Sequence, residues 1–199
     1  MTSQTQYWNR LIQPGIVALV GAGGKTTVLS KLVEYGRLQG RPIVVTTTTQ
    51  LYESQVAQYE PIYTKDINEV DEYCTKRIQQ GYCGAWFSGI TRTKVDSVDC
   101  ESIDNLSTLH PNWQIVVEAD GAKEKWLKAP KHTEPVIPSQ TKTTIGVVNL
   151  QMLGASLDED HVHNLELVQS IVNREEGAIV TPSMLAQIVL HKQGLFQYS

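Results

Sequence analysis

Val20-Gly21-Ala22-Gly23-Gly24-Lys25-Thr26-Thr27 stands between a short apolar run, Ile16 to Val20, and a longer segment, Lys25 to Leu38. The apolar run is continuous and bounded by glycine, as a strand buried on both faces reads. In the longer segment Val28, Leu29, Leu32, Val33 and Tyr35 recur at helical spacing, and Gly40 follows as a stop signal. Ile43 to Thr47, rich in β-branched residues, is a second strand. Strand, glycine turn, helix and strand in that order make a βαβ unit, so the expected fold is α/β: a P-loop-like, mostly parallel sheet flanked by helices.

Working outward, Thr5 to Ile12 reads as a short helix ended by Pro14-Gly15. Ile67, Val70, Cys74 and Ile78 mark another helix, followed by a strand over Gly84 to Ser88. Thr91 to Asn112 is polar with charges of both signs and reads as a loop or an insertion at 91–112. Ile115 to Val117 and Ile145 to Val148 are two more core strands, Asn164 to Val172 a helix, and Ala178 to Val180 a last short strand. Thr181-Pro182 has the form of an N-cap and first-turn proline for a closing helix through His191. No repeat or linker divides the chain, and 1–199 is read as one nucleotide-binding domain.

The glycine turn has the context a phosphate loop requires. Glycines let backbone amides approach a polyanion without a Cβ in the way, and the helix N-terminus adds unpaired N–H groups and the positive end of its dipole. The expected ligand contacts are Gly21, Ala22, Gly23, Gly24, Lys25, Thr26 and Thr27. Lys25 would point at the terminal phosphates, so that its removal leaves the fold intact, and the Thr26 hydroxyl would ligate Mg2+. Only two residues separate Gly21 from Gly24, against four in the commoner loop; the short form resembles the ATP loop of the Mur ligases and folylpolyglutamate synthetases.

Other residues converge on the same chemistry. Ile115-Val116-Val117-Glu118-Ala119-Asp120-Gly121 is an apolar strand ending in two carboxylates at i and i+2, on one face if extended geometry persists. Beside a phosphate loop, Glu118 and Asp120 would serve as Mg2+ ligands or orient water; the plain reading is a strand exit with solvated acids. Thr46 to Thr49 end the second strand, where Thr47 would face phosphate or metal, or the run is an ordinary β edge. Lys123, with Lys125, Lys128 and Lys131, offers a second anion-binding surface, although scattered lysines ordinarily solvate a loop. Asp158-Glu159-Asp160-His161-Val162-His163 reads as helix-cap and dipole partners before it reads as a metal cluster.

Composition narrows the classes. Of 199 residues 41% are hydrophobic and 19% charged, a globular balance. The net charge of −4 gives no sign of a nucleic-acid-binding face. Three cysteines without a CxxC pair fit reduced thiols and a cytoplasmic setting. The longest apolar run is far too short to span a bilayer, and Met1 to Arg10 lacks the apolar core of a signal peptide.

Taken together, Val20 to Thr27, Val45 to Thr49, Val117 to Lys123, Leu127 to Pro130, Glu134 to Pro138 and the stretch from Leu153-Gly154 to His163 resemble the YqeC family of selenium-dependent hydroxylase accessory proteins. The resemblance implies a bacterial P-loop-like protein associated with maturation of molybdenum hydroxylases, whose partner is such a hydroxylase or one of its cofactor-maturation proteins. It carries nucleotide binding to Gly21, Gly24, Lys25 and Thr26, and metal or phosphate contact to Thr47, Glu118, Asp120 and Lys123. Departures are Gln151 in place of an aspartate, Asn164 in place of an arginine, and Glu124-Lys125-Trp126 in place of a glycine- and proline-containing turn. The family pattern runs on beyond the position of Ser199 to an Asn-Lys-x-Asp-like segment, where a GTPase reads guanine, so the choice between ATP and GTP stays open and the chain is consistent with a truncated or degenerate member. Three activities are consistent with these residues: an Mg2+-dependent NTPase, an ATP-dependent ligase or kinase acting on a small acceptor, and a non-catalytic nucleotide-sensing assembly factor.

Overall fold

The computed structural model describes Tyr7, Trp8 and residues 10–199. The chain runs β1 (Gly15–Gly21), α1 (Lys25–Leu38), β2 (Ile43–Thr47), β3 (Leu51–Tyr52), β4 (Ile62–Tyr63), α2 (Ile67–Gln79), β5 (Gly84–Phe87), β6 (Gly89–Thr91), β7 (Lys94–Asp96) and α3 (Cys100–Leu109). It continues through β8 (Gln114–Glu118), β9 (Leu127–Lys128), β10 (Thr141–Val147), β11 (Val162–His163), α4 (Leu165–Val172) and α5 (Pro182–Leu190).

Six strands form one sheet in the order β10-β1-β8-β2-β5-β4, with every neighbouring pair parallel. The expected α/β architecture and the parallel adjacency of the four core strands are both present. Register follows from burial. Along β1, Val17 and Leu19 pack with Leu29, Leu32 and Val33 of α1, whereas Ile16 packs with Val70 and Cys74 of α2 and Ile103 and Leu106 of α3. A one-residue slip would exchange those two faces, so helices on both sides pin the pairing. Leu19 lies opposite Glu118, which lies opposite Thr47 on its other side. Parallel strands put these carboxyl ends, and the turn after β1, on one edge of the sheet.

A further apolar cluster joins Leu127 and Val162 of the two-stranded β9–β11 sheet to Val168, Val172, Leu185 and Ile188 of α4 and α5. The helix starts have the expected local chemistry. Thr181 accepts a hydrogen bond from the Met184 amide with Pro182 in the first turn, and Gly40 turns the chain at φ +66° after α1.

Two expectations change, and a third is met where the residues are described. Thr91 to Asn112 is structured: Ile90 and Val95 face each other in the β6–β7 hairpin, and Asp99 caps α3, whose Ile103 and Leu106 enter the core. Most of the polar content of this segment lies on the outer faces of short elements, but Asp104 and Ser107 of α3 are buried, and Asp104 accepts from the Ser139 and Gln140 amides at 3.0 Å each. Ala178 to Val180 makes only one antiparallel bridge, Ile179 to Ser156, because its partner is a turn rather than a strand. Of the helix expected over Thr5 to Ile12, Tyr7, Trp8, Arg10 and Leu11 are helical; Thr5, Gln6 and Asn9 lie outside the described residues.

Candidate functional site

The turn after β1 is built from conformations that glycine tolerates. Gly21, Gly23 and Gly24 have φ of +103°, +67° and +148°. A Cβ on Gly21 would overlap the Val147 carbonyl oxygen, and one on Gly23 would overlap the Asn149 side chain. The Ala22 amide donates to that same Val147 oxygen at 3.1 Å, which ties the turn to the end of β10. α1 then begins at Lys25 with no side-chain cap and no acid in its first turn. Its positive dipole end and free first-turn amides are therefore left for an anion. Gly21→Ala should cost roughly 2–3 kcal/mol through strain and overlap, read as a lower urea midpoint. An unchanged midpoint would show that the loop backbone adapts.

Lys25 is not directed at an empty phosphate position, as the sequence suggested. Its amine is folded onto the strand-end acids, 3.3 Å from Glu118 Oε1 and in contact with the Asp120 Oδ1 and carbonyl oxygens. All three side chains are buried. Without a polyanion, these carboxylates are the nearest compensation for a buried ammonium. Burial lowers the Lys25 pKa and the two carboxylates more than offset it, so the pKa is raised above the ordinary lysine value and the amine stays charged.

Asp120 is fully engaged. Its Oδ2 accepts from the Gly21 amide at 2.9 Å and lies 3.2 Å from Lys128 Nζ, while Oδ1 meets Lys25. Lys128 is the residue that sequence reasoning undervalued. Read as one of several loop lysines, it is buried at 2% exposure, held by Asp120, by Glu134 Oε2 at 3.0 Å and by the Gly121 carbonyl at 2.7 Å. The available signal was its place in Leu127-Lys128-Ala129-Pro130, a lysine with apolar neighbours on both sides. In the sequence Glu134 stands out only as the start of the Glu134 to Pro138 stretch that carries part of the family resemblance, with no role attached.

A cleft of about 360 Å3 opens over the loop, and among its walls are Gly23, Gly24, Lys25, Thr26, Glu118 and Lys123. Gly21, Ala22, Thr27, Thr47 and Asp120 do not line it. The Thr47 hydroxyl donates instead to the Glu118 carbonyl at 2.8 Å and accepts from the Thr49 amide at 3.1 Å, fixing the strand end behind the site. Thr26 Oγ1 is approached by Gln55 Nε2 at 3.4 Å. Lys123 reaches the cleft because it and Glu124 adopt left-handed backbone, at φ +47° and +61°. Among the described residues neither Lys123 nor Lys94, another wall residue, forms an ion pair. The cleft thus joins an uncapped helix start, four lysines (Lys25, Lys94, Lys123 and Lys125) and the carboxyls of Glu118 and Glu124.

Burial pushes the Glu118 carboxyl above the ordinary value, only partly offset by the charge of Lys25 and its hydrogen bond. A raised folded pKa gives stability that is complete below the unfolded value and is lost as pH rises through the folded one. The difference in stability between wild type and Glu118→Gln should therefore shift toward the variant as pH rises from the usual carboxylate range through the raised value. A pH-independent difference in urea unfolding would contradict this.

Among the described residues, no group of three or more His, Cys, Asp or Glu side chains is arranged to hold a metal ion, and Asp158 to His163 supplies no such group. There Asp158 Oδ1 accepts from the Asp160 and His161 amides at 3.1 Å each in a turn before β11, and α4 begins only at Leu165 behind Asn164, so these acids do not cap the helix as expected. No helix among the described residues is long and apolar enough to cross a membrane. All three cysteines are free thiols.

The YqeC protein family model matches residues 17–166, which contain the loop, the acid pair, Lys123 and Lys128. The uncharacterized protein YqeC of Escherichia coli (strain K12) is 30% identical over 186 residues, covering 93% of this chain and 71% of the relative. No solved structure matches the chain. The chain belongs to the YqeC family.

Proposed function

We propose that this YqeC-family protein binds a nucleoside triphosphate with Mg2+ and hydrolyses it. The observation that carries the reading is the uncapped start of α1, opening through a left-handed glycine turn into a cleft where, among the described residues, Lys94 and Lys123 form no ion pair. A polyanion there would be met by backbone amides, the helix dipole and fixed positive charge. Lys25 is already in the cleft wall and needs only to exchange carboxylates for phosphates.

That exchange bears on the metal. Glu118 has Lys25 as its close cationic partner, whereas Asp120 keeps Lys128 and the Gly21 amide when Lys25 leaves. A carboxylate so released, beside the Thr26 hydroxyl in the same cleft, suits Mg2+, which is commonly held by one or two protein oxygens with phosphate and water completing its shell. Bound there, Mg2+ would neutralise phosphate charge. Thr26 and Glu118 would hold it, with Asp120 as a positioning residue.

The reading is tested by thermal shifts with ATP, GTP and the diphosphates, with and without Mg2+, followed by phosphate release. Ligand at 100 times Kd should add about 2.7 kcal/mol of stability. No shift with any triphosphate would reject it. Binding without turnover would favour a nucleotide-sensing assembly factor, a reading supported by the complete pairing of Asp120. Release only with a small carboxylate or hydroxyl acceptor would mark a ligase or kinase. The family resemblance alone supports a role in maturing selenium- or molybdenum-dependent hydroxylases, with such an enzyme or its cofactor-maturation proteins as partner.

A further inference from the structure

The two ends of the cleft differ. On the β2 side stands Tyr52, with Lys94 Nζ over its ring at 5.1 Å. On the β10 side stands Trp126, which also borders a small void against Gly21, Ala22 and Val147. Trp126 is 37% exposed, yet it is held firmly. Its amide donates to the His161 carbonyl at 2.9 Å. Its ring packs at 56° to the His161 imidazole, with centroids 4.8 Å apart, and His161 Nδ1 lies 2.6 Å from Asp158 Oδ1. The Asp158–His161 pair, which the phosphate chemistry does not use, therefore backs the indole.

The approach to Trp126 is costly. Lys123 and Glu124 are consecutive left-handed residues, a conformation that L side chains adopt rarely and that a loop keeps only where its surroundings enforce it. The turn sets a large aromatic in the wall of a polar cleft, where it contributes little to any core. Resting on the nucleotide reading above, we infer that the exposed indole of Trp126 is the stacking platform for the nucleoside base, a planar heteroaromatic ring attached to the triphosphate bound at the loop. Tyr52 is the less suitable platform, because a cation already covers its ring and suits an anion instead. Stacking on an indole accepts any base, since each has a π face, so this platform favours nucleotides over bare polyphosphate without choosing between adenine and guanine.

The test is calorimetric titration of wild type, Trp126→Ala, Trp126→Phe and Tyr52→Ala with ATP, GTP and inorganic tripolyphosphate, all with Mg2+. Trp126→Ala should weaken ATP and GTP by roughly tenfold and leave tripolyphosphate unchanged. Trp126→Phe should stay within about threefold of wild type, since a smaller ring still stacks. Tyr52→Ala should cause no nucleotide-selective loss. Equal weakening of all three ligands by Trp126→Ala, or none, overturns the platform, as does a nucleotide-selective loss in Tyr52→Ala. A wild type that binds tripolyphosphate as tightly as ATP keeps the phosphate site and removes the base site. A wild type that binds none of the three removes the nucleotide reading itself.

Discussion

Lys128→Met should lower the stability of the free protein by roughly 3–5 kcal/mol, the cost of leaving buried carboxylates without their cation. The ammonium has three donors, and the structure supplies three acceptors: Asp120 Oδ2, Glu134 Oε2 and the Gly121 carbonyl. Its side chain is 1% exposed, so water cannot take over those bonds. Methionine fills similar volume, which confines the effect to charge and hydrogen bonding. For a domain of ordinary stability, about 5–15 kcal/mol, that is a large fraction of the total. The measurement is the urea midpoint and slope. A loss below about 1 kcal/mol, the size of an exposed pair, would mean that Lys128 is not structural.

Lys25→Met should abolish the nucleotide-dependent thermal shift and also destabilise the free protein by about 3 kcal/mol, the low end of the cost of breaking a buried pair. Sequence reasoning led to the first effect without the second. The second follows because Lys25 neutralises Glu118 in the free protein, while Asp120 retains Lys128 and the Gly21 amide. Adding Glu118→Gln should restore most of the stability, since no unpaired charge then remains, but not the shift. A folded Lys25→Met protein that keeps its full shift with ATP and Mg2+ would remove the proposed function. Equal stability of the single and double variants would remove the account of the free state.

Much of the frame was legible. The runs over Ile16 to Val20, Ile43 to Thr47 and Ile115 to Val117 are buried strands of one parallel sheet, because short continuous apolar runs joined by helical segments bury both faces in that way, while Ile145 to Val147 ends a half-buried strand at the sheet edge that no helix joins to β8. Asp99 before Ile103 and Leu106 was a readable cap and helical spacing, obscured by the surrounding charges of a segment taken as loop. β6 and β7, three residues each, are too short for periodicity to show, and the β3–β7–β6 sheet exists only because distant pieces meet.

By itself the sequence determined the glycine turn, its place between β1 and α1, and the carboxylates at the end of β8, since each follows from spacing and backbone preference within a few residues. Only the tertiary structure decided what those charges do. Lys25 and Asp120 are 95 residues apart, and nothing near either one says that they touch. Whether a lysine is solvated or buried depends on which distant groups compensate it, which is why Lys128 read as a surface residue and is instead the centre of a buried network. Local patterns fix the path of the chain, but the cost of burying a charge is settled by every group that surrounds it.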